Sequence, residues 1–416
     1  MIGERMAGAE DGVRLAQGMA ELRRIDDVTN WRWIAWEYLC LGVVIGGAVA
    51  FAEWRSGSGL GWWWEAAVLA IAVVLVGAIQ HRLAGLGHEA SHETLFRDRV
   101  LNDLAGDLLC LFPLLATVHT YRLFHMAHHR FTNDPERDPD LVNLGRSKKV
   151  DEFPMDRSRF VRVQLLRWLT DPWSMVRYQA DYFYLNTLGK GGNALLRGVE
   201  GGDADDPRPR VGTLLGMAGV VGYGSAAAWL AGSGRSDWLG AALGVGLAAS
   251  GAGLAVVPRR WLFRSPFADA YGARAGGFLR LAYYLVVLTG LAWLGAATGG
   301  RSWWYALALW MVPLGTSFAY FMLLRDVFQH SNADAGRLTN SRVFLPGPLL
   351  RWAVFVYGQD VHVTHHLHPG VPHYRLRALH RLLREADAEY AARVVECRGL
   401  FAGDGVRPTM LEVLAE

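Results

Sequence analysis

HMAHHRFTND, residues 125–134, sets three imidazoles within five positions, and HVTHH at 362–366 repeats the same spacing. A third group, GHEASHETLF at 87–96, carries His88 and His92. On a helix, positions i, i+3 and i+4 lie on one face, so each group can aim two or three ring nitrogens at a common centre. Neutral imidazole is a good ligand for iron, copper, zinc and nickel. The eight candidates, His88, His92, His125, His128, His129, His362, His365 and His366, exceed the four ligands that satisfy a structural zinc. Two metal ions suit the count better than one. Two His-x-x-His-His copies together with a His-x-x-x-His rarely arise by chance, which makes the combined pattern specific. His330, in RDVFQHSN, is a ninth candidate. His81, His119, His368, His373 and His380 stand outside the groups and are expected to neighbour the ligands or to lie at an interface or surface.

The chain around these clusters is apolar. Of its 416 residues, 52% are hydrophobic and 12% aromatic, with 17 Trp and 48 Gly. Mean hydropathy is +0.14, and its source is local. Six runs approach or exceed the roughly 20 residues needed to cross about 30 Å of hydrocarbon: 33–52, 62–80, 211–232, 238–257, 281–299 and 303–324. The stretch 104–115 is interrupted by Asp107 and Pro113, is too short to span, and is expected in the interface or packed on protein. The Gly-, Ala- and Ser-rich pair 211–257 suits close helix packing in lipid, with a loosely buried hairpin as the alternative.

Short turns join the spans into three hairpins, so the segments that carry histidines emerge on one side. Even numbers of crossings separate the clusters, and one shared site becomes possible. All Lys and Arg lie on that side except Arg55, Arg235 and Arg301. The positive-inside tendency therefore makes it cytoplasmic, together with the N-terminus and C-terminus. The expected fold is an all-α integral membrane protein: helical hairpins span the bilayer, and a cytosolic helical cap holds a histidine-rich di-metal site. The expected organisation is a cytoplasmic N-terminal segment 1–32, a membrane domain 33–380 and a cytoplasmic C-terminal segment 381–416. A net charge of +3 gives no reason to expect a nucleic-acid partner. Cys40, Cys110 and Cys397 are too scattered for a disulfide framework or zinc ribbon, and the charged N-terminus does not read as a cleaved signal peptide.

Carboxylates near the clusters could orient imidazoles by accepting the second ring N–H. The candidates are Glu89, Asp138, Asp140, Asp326 and Asp360, with Asp134 read as a turn former in NDPERDPD. Soluble di-iron bundles use Glu and Glu-x-x-His ligands from core helices. Here the candidate ligands are nearly all neutral nitrogen.

HEASH, HMAHHRFTNDPERDPD and HVTHHLHPGVPHYRL resemble the three histidine boxes of the integral-membrane fatty acid desaturase superfamily, which includes hydroxylases and carotenoid-modifying oxygenases. The resemblance runs from about Gly87 to His380, and RDVFQH resembles the family's additional histidine after the last membrane pair. It implies two non-haem iron ions, O2 as co-substrate and removal of hydrogen from an unactivated C–H bond. It also implies that the nine histidines, His330 included, are ligands that hold metal and need no separate general base. Three departures limit the transfer. The hairpin 211–257 exceeds the family's usual four spans. Asp326 stands where stearoyl-type desaturases have an Asn that helps hold water at one metal. The third box begins with His362 and not Gln, which argues against the front-end subgroup.

Electrons must come from outside the chain. It has no plant-type ferredoxin cysteine pattern and no GxGxxG nucleotide motif, and LHPGV lies within the third box with no cytochrome b5 domain around it. An arginine-rich face could dock an acidic donor such as ferredoxin, or cytochrome b5 with its reductase. A long-chain lipid is the expected substrate, a fatty acyl chain first among such lipids. Hydroxylation or ketolation of fatty acyl or carotenoid substrates on the same scaffold is the alternative. A non-enzymatic metal carrier is more distant, because its spans should carry ionisable residues along a path.

Overall fold

The computed structural model describes residues 15–188, 193–196, 206–267 and 270–415. Among the described residues, six helices are long and apolar enough to cross a membrane. They are α1 (Thr29–Ser58), α2 (Trp62–Ser91), α7 (Arg208–Gly232), α8 (Leu239–Val256, led by a turn from Ser236), α9 (Ala273–Ala297) and α10 (Arg301–His330, with a π-turn at Leu307–Met311 and a break at Thr316). Between α2 and α7 lie α3 (Arg99–Ala105), α4 (Val118–Phe131), α5 (Pro139–Lys148) and α6 (Pro172–Asn186). After α10 come α11 (His362–Leu367), α12 (His373–Ala386) and a two-stranded parallel pair, β1 (Val343–Leu345) with β2 (Glu396–Arg398). The fold is the expected all-α membrane architecture with a helical cap, to which this strand pair is added among the described residues.

Helix length positions the site. A 30-residue helix such as α2 is about 45 Å long at 1.5 Å per residue, well beyond the hydrocarbon thickness. Its first two-thirds can lie in lipid, with Trp62, Trp63 and Trp64 exposed at the start as interfacial aromatics. Its last third is buried in protein and carries His81, Arg82, His88 and Glu89. The turn from α1 to α2 is closed by Gly59 at φ 76°, a left-handed conformation that a side chain would strain.

The core joins α2 and α10 through Val76, Ile79, Leu83, Phe318, Met322 and Phe328. Their close approach depends on Gly77, where an added Cβ would sit 2.6 Å from the Phe318 backbone nitrogen. Residues 99–114 are not one of the six long apolar helices. They bend by 88° into α4 and pack on protein, with Ala105, Cys110, Leu111 and Phe112 buried. The 211–257 region forms two long, largely exposed helices, α7 and α8, that both pack on α9. Toward the end of the chain, Cys397, Met410, Leu411 and Leu414 join the main core.

Candidate metal centre

The nine histidines converge. The ring nitrogens of His88, His92, His125, His129 and His365 lie within 4.8 Å of one another, and those of His128, His330, His362 and His366 do the same. Either group could hold a metal ion. The division follows from helix geometry. In each His-x-x-His-His, the first and last residues stack one turn apart, while the middle one points about 60° aside. On α4, His125 and His129 enter the first group and His128 the second. On α11 the roles reverse: His362 and His366 enter the second group and His365 the first. The end of α2 adds His88 and His92, and the end of α10 adds His330. His129 stacks on His366 with ring centroids 4.2 Å apart, so the two groups abut.

The second ring nitrogens show which lone pairs face inward. His128 Nδ1 lies 3.0 and 3.1 Å from the two Asp138 oxygens. His330 Nδ1 is 3.1 Å from the Asn340 carbonyl. His366 Nδ1 is 3.1 Å from Thr132 Oγ1, whose hydroxyl donates to the His128 carbonyl at 2.8 Å. Each of these partners accepts, so each Nδ1 carries the hydrogen and each Nε2 presents a lone pair. Yet His362 Nε2 stands 2.9 Å from His330 Nε2 and 3.0 Å from His366 Nε2, and can donate to only one of them. In the first group, Nε2 to Nε2 distances are 2.8 Å for His92–His125, 3.0 Å for His125–His129 and 3.1 Å for His365–His129. In the second group the three Nε2 acceptors, those of His128, His330 and His366, repel one another unless a cation sits among them. Burial, reinforced by the neighbouring imidazoles, pushes the pKa values of His362, His365 and His366 down and keeps these rings neutral. All-nitrogen donor sets suit a borderline metal such as iron.

The carboxylates divide differently from the sequence expectation. Asp138 touches an imidazole directly, and it also caps α5 through the Asp140 N–H at 2.9 Å. Glu89 lies 3.4 Å from His88 Nδ1 and accepts from Thr94 Oγ1 at 2.9 Å and from the His373 N–H at 2.9 Å. The other three hold cations: Asp140 pairs with Lys148, Asp326 with Arg325 and Asp360 with Arg377. Lys148 reaches Asp140 from two turns along α5, Arg377 reaches Asp360 from α12, and Arg325 is the chain neighbour of Asp326. Burial raises the Asp360 pKa and Arg377 opposes the rise. Asp134 caps its own turn, accepting from the Glu136 and Arg137 N–H groups at 3.0 Å. Sequence reasoning did not find Thr132, Asn340 or Gln359, whose side-chain nitrogen lies 3.4 Å from the His88 ring nitrogens. No spacing announces such partners. Of the five other histidines, His373 bonds Asn30 at 2.8 Å, His380 bonds Tyr390 at 2.7 Å and His81 bonds the Ala353 carbonyl at 2.9 Å. His119 stands edge-on to Phe263, and His368 is half-buried.

The profile of the family described as Fatty acid desaturase matches residues 62–258 and 228–398. The chain belongs to the fatty acid desaturase family. It is therefore an oxidoreductase of that family, and the histidine groups are the family's boxes seen in three dimensions. The chain is 24% identical over 368 residues to dihydrorhizobitoxine desaturase of Bradyrhizobium elkanii, covering 85% of this chain and 78% of that protein. It is 28% identical over 161 residues to sn-1 oleoyl-lipid 12-desaturase of Arthrospira platensis, covering 36% and 42% respectively. A third relative, sn-1 oleoyl-lipid 12-desaturase of Anabaena variabilis, is 32% identical over 84 residues, 19% of this chain and 24% of that protein.

Proposed function

We propose that this chain is a membrane-bound, non-haem di-iron desaturase that uses O2 to introduce a double bond into a long-chain lipid, a fatty acyl chain. The observation that carries the reading is the pair of facing imidazole groups, with lone pairs directed inward at the ends of membrane helices. Bound iron supplies O2 activation and hydrogen removal from an unactivated C–H bond. The chain's own residues hold and orient. His88, His92, His125, His129 and His365 serve one ion, and His128, His330, His362 and His366 serve the other. Asp138, Asn340 and Thr132 fix three imidazoles in the tautomer that leaves Nε2 free. Six of the nine rings are buried, which keeps bulk water from the site.

The balance requires two electrons and two protons from outside, so that O2 and two substrate hydrogens leave as two waters. An acidic donor such as ferredoxin, or cytochrome b5 with its reductase, suits the surface cleft where His129 and His366 meet Arg130, Arg137 and Arg337. That face, the N-terminus and the C-terminus lie in the cytoplasm on this reading.

The test pairs metal analysis with lipid mass spectrometry in a host supplied with donor and reductase. About two irons per chain and a product lighter by two hydrogens are expected; in His128→Ala iron should fall toward one per chain and the product should be lost. A product heavier by one oxygen would assign the protein to hydroxylation. Purified protein without iron and without a changed lipid would sink the proposal.

A further inference from the structure

Three cavities lie in series between the α7–α8 hairpin and the histidines. The largest, about 330 Å³, has apolar walls from Met217, Val220, Val221 and Leu281 on α7 and α9. Gly212 lets α7 close over it, since a Cβ there would sit 2.5 Å from the Trp261 carbonyl oxygen. This chamber shares Leu115, Phe183 and Thr187 with a second cavity of about 30 Å³. The second shares Tyr121, Tyr182 and Arg325 with a third, also about 30 Å³, whose wall includes His88, His125, His128, His330 and His362. The passage thus narrows and becomes polar as it nears the metal centre.

Arg325 stands at the narrow junction. It is 8% exposed, and its Nη2 donates to Asp326 Oδ1 at 3.0 Å. Asp326 also accepts from the Tyr178 hydroxyl at 2.8 Å. Arg325 Nε is buried and has no hydrogen-bond partner among the described residues. A buried cationic donor left without an acceptor is unfavourable. A bare hydrocarbon tail threaded past it toward the histidines would leave that donor unsatisfied. A carboxylate would satisfy it with a charge-assisted bond.

From this we infer that Arg325 anchors the carboxylate of a free long-chain acid, whose tail occupies the α7–α9 chamber. The inference rests on the desaturase reading above. It narrows the substrate class to an unesterified amphiphile, and it places the oxidised bond near the carboxyl end and not in mid-chain. Two hydrogens leave adjacent carbons there, and O2 is reduced to two waters with the two electrons and two protons of the external donor. Arg325 is a positioning residue and takes no part in the electron count.

The experiment compares binding of radiolabelled palmitate and methyl palmitate to the purified full-length protein in detergent, with iron measured on the same samples. Wild type is expected to prefer the acid by roughly tenfold or more, the worth of one charge-assisted hydrogen bond. Arg325→Met should abolish the preference, and Arg325→Lys should keep part of it. If Arg325→Met does not fold, the Arg325→Met/Asp326→Asn double variant removes both members of the pair. Equal binding of acid and ester by wild type would overturn the inference, as would a preference that survives removal of the guanidinium. Absence of an acid preference in iron-containing wild type sinks the anchor alone, whereas absence of iron from wild type sinks the desaturase reading.

Discussion

Asp138→Asn isolates the link between a carboxylate and one metal group. Asp138 Oδ1 faces His128 Nδ1 and the Asp140 N–H, while Oδ2 faces His128 Nδ1 and the Asn133 N–H at 2.8 Å. Both oxygens therefore accept, and both are buried. An asparagine has one oxygen, so its amide NH2 must face a donor on one side. The arrangement that keeps both backbone contacts near an oxygen is lost, and one buried donor goes unsatisfied at a cost of about 1–3 kcal/mol. The alternative is for the NH2 to donate to His128 Nδ1, which moves the ring hydrogen to Nε2 and removes a lone pair from the second group. Either outcome weakens metal binding, by about 10–100-fold for a partner of this kind, or roughly 1.4–2.7 kcal/mol. Because Asn caps helices about as well as Asp, the start of α5 should persist. Dialysis against ferrous iron with graded chelator, followed by elemental analysis, reads the effect directly. The less tightly held iron should leave at a chelator level roughly 10–100-fold lower, with the other iron and the helical circular dichroism unchanged. Titration curves that superimpose on wild type would show that Asp138 is only a cap, and the tautomer argument would fail.

Other consequences are as direct. His366→Ala leaves three imidazoles in its group and His365→Ala leaves four in the other, so iron should fall toward one per chain in the former and stay near two in the latter at saturating iron. Stripping iron should lower the thermal midpoint followed by tryptophan fluorescence, since a ligand present at 100 times its Kd stabilises by about 2.7 kcal/mol. Glu37→Leu strands Arg82, which donates to Glu37 at 2.8 Å beside the Tyr357 hydroxyl at 2.5 Å, and should destabilise by about 3–5 kcal/mol in detergent unfolding. Gly77→Ala should cost about 1–3 kcal/mol through overpacking at the α2–α10 crossing. Gly42→Ala, with nothing within 4 Å of the new methyl, should leave the midpoint unchanged.

Apolar run length made the six helices legible, and histidine spacing made eight of the nine histidines legible, because both are local periodicities; His330 stood out only by its place after the last span and by the family resemblance. The distribution of rings between groups was not legible. It depends on how α4 and α11 face each other, and those helices are joined only through contacts such as His365–His129, 236 residues apart in sequence. The carboxylates misled for a similar reason. Asp140 and Asp360 lie close to histidines along the chain, yet Lys148 and Arg377, eight and 17 residues on, occupy them. Buried ties such as Glu37 to Tyr357, 320 residues apart, have no local signature at all. Arg325 lay in plain sight in RDVFQH, but only the junction of cavities gives its guanidinium a purpose.

The exchange of roles between α4 and α11 interlocks the two histidine groups. Inserting or deleting one residue within either box would turn its later imidazoles by about 100° and dismantle both coordination spheres at once, whereas trimming one ring injures only one. Spacing between the two histidine groups is thereby geared to the angle between two short rods, and neither rod can drift in register without the other.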